Sequence, residues 1–109
     1  MMPTLRQGDL KQLYRWSVID GLFRTGLSFT AQQLCDNVNN EIRINNILNK
    51  DGSLATVSKR TINSDINNMQ LIFGKKIEIV EIGTKYKYYN PKASIFSFTV
   101  SKGFCFTNR

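Results

Sequence analysis

Residues 56–69 read TVSKRTINSDINNM, and the fold turns on how this stretch is placed. Ser58 is a residue type that caps helices. Val57 before it and Ile62 after it occupy the two positions of a hydrophobic staple, and Ile66, Met69 and Phe73 continue the apolar seam at steps of four, three and four. The pattern predicts a helix over about 58–73, ended by Gly74. Its first turn carries Lys59 and Arg60. A helix N-terminus bears a partial charge of about +0.5, which disfavours a cation there by roughly 0.3–1 kcal/mol. The two cations need a reason outside the helix.

Upstream, the periodicity predicts two more helices. From Asp9 to Arg24, the residues Leu10, Leu13, Tyr14, Ile19, Leu22 and Phe23 recur mostly at steps of three and four, with Asp9 as the cap and Gly26 as the stop. Trp16 and Val18 fall off the narrowest stripe, which widens the buried face. In FTAQQL, Thr30 and Gln33 form a capping box while Phe29 and Leu34 make a staple, so a second helix begins at Ala31. Its inner face is Leu34, Cys35, Val38 and Ile42, and the apolar pattern extends through Ile44, Ile47 and Leu48 to the stop at KDGS.

Downstream of Gly74 the period changes. KIEIVEI is rich in β-branched residues, Gly83-Thr84 offers a tight reversal, and KYKYY alternates Lys85 and Lys87 on one face with Tyr86 and Tyr88 on the other. This is a hairpin that Pro91 ends, because proline has no ladder donor.

Composition narrows the chemistry. The chain has 109 residues, enough for one domain, and 15 Lys and Arg against 8 Asp and Glu give a formal net charge of +7. Such an excess favours a polyanionic partner, nucleic acid before membrane, because no helix sets a lysine-rich face opposite a bulky apolar one. No histidine is present, the acids are scattered, and neither a phosphate loop nor a nucleophile elbow occurs, so an enzyme is not expected. Cys35 and Cys105 lack metal-ligand spacing; no metal or cofactor is expected, and two reduced thiols suit a cytoplasmic protein. The start, MMPTLRQGDLKQL, has no secretory-signal pattern, and no apolar run is long enough for a bilayer.

The expected fold class is therefore α+β: a winged helix-turn-helix of three helices followed by a two- or three-stranded antiparallel β-wing. In that architecture the third helix enters the major groove of double-stranded DNA and the wing reaches an adjacent groove or phosphate. Lys59 and Arg60 then point with the helix dipole at phosphate. Arg60, Asn63, Ser64 and Asn67 lie off the seam, and arginine and asparagine are the side chains that pair bidentately with guanine and adenine. Thr30 and Gln32, at the start of the second helix, are expected at the DNA backbone, and Lys85 and Lys87 on the wing. The plain reading of the same surface is a solvated polar face.

The run VSKRTINSDINNM resembles the recognition-helix signature of winged helix-turn-helix regulators of the deoxyribose-operon-repressor type, with Val57, Ser58, Arg60, Thr61, Ile62, Asp65 and Ile66 matching in place. More narrowly, the chain is similar to the N-terminal module of WYL-domain transcription regulators of Bacteroides-type bacteria, in VIDGLFR (18–24), FTAQQL, KYKYY and the step from Ser94 to Phe96. The resemblance covers roughly residues 10–96. Ser64 departs from it, standing where such helices often carry a basic residue. The resemblance implies a bacterial transcription regulator, and its members continue into a ligand-sensing domain, so this chain reads as a fragment, a stand-alone module or a truncated copy.

Residues 1–92 are expected to form the DNA-binding domain. The tail 93–109, ASIFSFTVSKGFCFTNR, is rich in phenylalanine and is an extra strand, a contact that would make a homodimer, or a linker stub. Two rival readings stand beside DNA binding: a winged-helix protein–protein interaction module with the aromatic tail as its adhesive patch, and single-stranded RNA binding through Tyr86, Tyr88 and Tyr89.

Overall fold

The computed structural model describes residues 7–96. Helix α1 (Gln7–Phe23) leads through strand β1 (Phe29–Thr30) into α2 (Ala31–Ile44). A long loop then gives α3 (Lys59–Ile77), followed by β2 (Ile79–Ile82) and β3 (Lys85–Tyr88). The chain is thus α+β, with three helices and a three-stranded antiparallel sheet in the order β1-β3-β2. The third strand, β1, is only Phe29 and Thr30. It pairs Phe29 with Tyr86 and Thr30 with Lys85, which fixes the start of α2 beside the hairpin.

The core forms where the three helices and the inner face of the sheet meet. Ile19 and Phe23 of α1, Leu34, Val38 and Ile42 of α2, and Ile62, Ile66 and Met69 of α3 are buried together with Tyr88. Trp16 stands edge-on to Phe73 at a centroid distance of 5.9 Å, and Phe23 packs on Tyr88 at 5.0 Å. The predicted inner face of α2, Cys35 included, is fully buried, and the capping box of Thr30 and Gln33 forms with both bonds.

Three helix ends differ from expectation. Helix α1 starts at Gln7, so Asp9 lies in its first turn and does not cap it. Helix α2 stops at Ile44, short of the predicted run through Ile47 and Leu48. Asn46 takes a left-handed φ of 52°, and the bonds Asn46 N–H to Arg43 O and Ile47 N–H to Ile42 O close a Schellman motif. Asparagine supplies the left-handed residue, as glycine commonly does.

Helix α3 runs through Gly74 to Ile77, so Lys76 and Ile77 are helical and not the start of the strand. A Cβ at residue 74 would collide with the Gln70 amide nitrogen. The missing side chain leaves room for Gln70, whose Oε1 accepts the Ile79 N–H at 2.7 Å and ties the helix to β2. The helix ends instead at Glu78, with a φ of 34°. The reversal at Gly83-Thr84 is as expected, with Gly83 at a φ of 64° in a two-residue turn.

Two buried carboxylates clamp the elements. Asp65 of α3 accepts bonds from Arg15 and Trp16 of α1. Asp20 of α1 accepts from the Tyr88 hydroxyl, the Ser94 hydroxyl and the Ile95 N–H. Ser94 and Ile95 are therefore built into the core, whereas the tail from 97 onward lies outside the described residues. Among the described residues no helix is long and apolar enough to cross a membrane.

Candidate nucleic-acid interface

The N-terminus of α3 is held from two sides. Ser58 caps it, its hydroxyl accepting the Thr61 N–H. One residue earlier, the Asn39 side chain of α2 binds both backbone groups of Val57: Oδ1 accepts the N–H at 2.8 Å and Nδ2 donates to the carbonyl at 2.9 Å. The Cys35 thiol also donates to that carbonyl, at 3.4 Å. Burial, and then the charge of Asp36, push this thiol's pKa up, which suits a packing residue better than a nucleophile. The role of Asn39 has no local sequence signal, because it depends on a fold that brings residue 57 beside residue 39.

Lys59, Arg60, Ser64 and Asn67 are exposed and Asn63 is half-buried. Their side chains make no hydrogen bond or ion pair with any other described residue. No acid stands in the first turn of α3, so nothing within the helix offsets the two cations against the positive helix end. The outward stripe thus keeps its donors and acceptors for solvent or a ligand.

Thr30 and Gln32 stand differently. The Thr30 hydroxyl accepts the Gln33 N–H and its own N–H is taken by Gln33 Oε1, while Gln32 donates to Asp36 at 2.9 Å on the exposed face of α2. Both are occupied within their own helix. The register does bring Thr30 beside Lys85 as cross-strand partners.

On the hairpin the predicted alternation holds, with Tyr88 buried, Tyr86 half-buried against the core and Lys85 exposed. Lys87 is half-buried, its stem beside Val80, and Ile82 joins Lys85 on the same outer face. This face is mixed apolar and basic, not purely basic. Tyr89 alone of the three tyrosines considered for base stacking is exposed.

A second feature lies elsewhere: a shallow apolar cleft lined by Leu10, Lys11, Tyr14, Ile47 and Leu48, between α1 and the loop after α2. Among the described residues no cluster of three or more His, Cys, Asp or Glu could hold a metal ion. No family model, no curated protein and no solved structure matches this chain.

Proposed function

We propose that the protein is a winged helix-turn-helix domain that binds double-stranded DNA sequence-specifically, as the N-terminal module of a WYL-type bacterial transcription regulator does. The order of three helices and a hairpin, with a short strand before α2, supports the winged-helix reading. The observation that carries the DNA reading is the outward stripe of α3. Cations at a capped helix N-terminus, followed by asparagine and serine with no partner among the described residues, suit a major groove lined with phosphate and base edges. Lys85 and Lys87 reach phosphate from the hairpin. In the complex the dipole penalty on Lys59 and Arg60 becomes attraction.

The test is titration of the full chain into random duplex DNA over a salt series. Each neutralised phosphate steepens the fall of log affinity with log salt by roughly 0.9, so a slope of several units is expected. A flat dependence, or no binding at low salt, refutes the reading.

The alternative is a winged helix that binds protein and not DNA. It is favoured by the exposed leucines Leu10 and Leu48 of the apolar cleft. Under that reading Leu10→Ser abolishes partner binding while Arg60→Ala does nothing.

A further inference from the structure

The exposed surface of α3 carries two large apolar residues that polar DNA contacts do not explain, Leu71 and Ile72; Ile72 lies about 100° round the helix from Leu71, to the side of the outward stripe. Leu71 is 81% exposed, the most exposed large apolar side chain among the described residues. The buried seam runs Ile62, Ile66, Met69, Phe73 at steps of four, three and four; Arg60, Ser64, Asn67 and Leu71 follow the same steps two residues earlier. Two residues are about 200° around a helix. Leu71 is therefore centred on the stripe that faces away from the core, in line with Arg60 and about 16 Å further along the axis. Exposed Lys75, one turn on, places a cation at this end of the stripe as Lys59 and Arg60 do at the other. Leu71 thus stands between exposed cations at the two ends of the stripe.

We propose that Leu71 is a specificity-determining residue that reads the C5 methyl of a thymine in the major groove. This rests on the DNA-binding reading above. The major groove displays one apolar feature, the thymine methyl, and an aliphatic side chain on the groove-facing stripe meets it by contact alone. With a rise of ~3.4 Å per base pair, a separation of about 16 Å along α3 puts the thymine within about five base pairs of the base that Arg60 contacts. Leucine in place of a polar residue makes the site require that methyl.

The experiment starts from duplexes selected by the full chain from a random pool. Each thymine of the selected site is replaced singly by deoxyuridine, which removes only the methyl. Affinities are measured for the wild type, Leu71→Ala and Arg60→Ala. One replacement is expected to weaken the wild type about fourfold, the effect of one buried methyl-sized group. Leu71→Ala should bind thymine and uracil alike at that position. The position should lie within about five base pairs of the one whose preference Arg60→Ala loses. Wild-type indifference to every uracil, with Arg60→Ala still altering preference, overturns the role of Leu71 and leaves DNA binding standing. Selection of no duplex at all overturns both. A Leu71→Ala chain that sediments as a monomer where the wild type is a dimer also overturns the inference, because the face then belongs to a second copy.

Discussion

Arg15 grips the Asp65 carboxylate with two hydrogen bonds, Nε to Oδ2 at 2.6 Å and Nη2 to Oδ1 at 3.0 Å, and so fastens α1 to α3. The Trp16 indole adds a third, at 3.1 Å. Asp65 is buried, and the Arg15 side chain is partly buried. Removing one partner of such a pair leaves the other charge buried and uncompensated, at a cost of about 3–5 kcal/mol. Arg15→Ala, which strands the buried Asp65 carboxylate, should lose that much in urea unfolding. A loss under about 1 kcal/mol would show that the pair behaves as a surface bridge.

Asn39→Ala should destabilise the domain by about 1–3 kcal/mol, because it strips both bonds from the Val57 backbone. It should also weaken selected-site binding, since the entry to α3 is no longer fixed. Asn40→Ala, at an exposed neighbour on the same helix, is the control. Equal effects from the two would deny Asn39 a positioning role.

Tyr88 sets the alkaline limit. Burial, and then its hydrogen bond to Asp20, hold the phenol proton far above the ordinary tyrosine value of 10.0. Above pH ~10 the unfolded chain has released that proton while the folded chain keeps it. Stability from this group is therefore complete below pH ~10 and falls above it, by up to about 1.4 kcal/mol per pH unit. Tyr88→Phe should be less stable at neutral pH, where Asp20 loses a donor, but show a shallower alkaline decline. Identical slopes in urea midpoints between pH 9 and 11 would count against it.

These cases show what the sequence could and could not reveal. The inner face of α2, the caps at Thr30 and Ser58 and the hairpin turn are local patterns, and each lies where periodicity or turn chemistry puts it. Asp65 and Asp20 gave no local sign, because their partners stand 49 or more residues away in sequence. Gly74 looked like a stop because glycine commonly ends a helix, and the side-chain bond from Gln70 to Ile79 that makes use of its missing Cβ follows no repeating pattern. In the candidate site, the outward stripe follows from the seam by subtraction. Leu71 sits on it by the same arithmetic, yet an apolar residue is naturally assigned inward until its exposure is seen.

Replacing Lys85 and Lys87 together by alanine should leave the fold intact, since Lys85 is exposed, Lys87 is only half-buried, and the tyrosine face supplies the packing. It should flatten the slope of log affinity against log salt by up to about 2, roughly 0.9 per lost phosphate contact. The ranking of preferred sequences should stay, because phosphate contacts position the protein without reading bases. An unchanged slope with a scrambled ranking would mean that the hairpin reads bases instead.

The most direct measurement is to titrate a duplex into isotope-labelled protein and map which backbone amides shift. The expected map covers Lys59 to Leu71 on α3 and Lys85 to Lys87 on β3, with Leu10 to Tyr14 and Ile47 to Leu48 unmoved. Shifts confined to that apolar cleft, or none at all at low salt, would contradict DNA binding by α3.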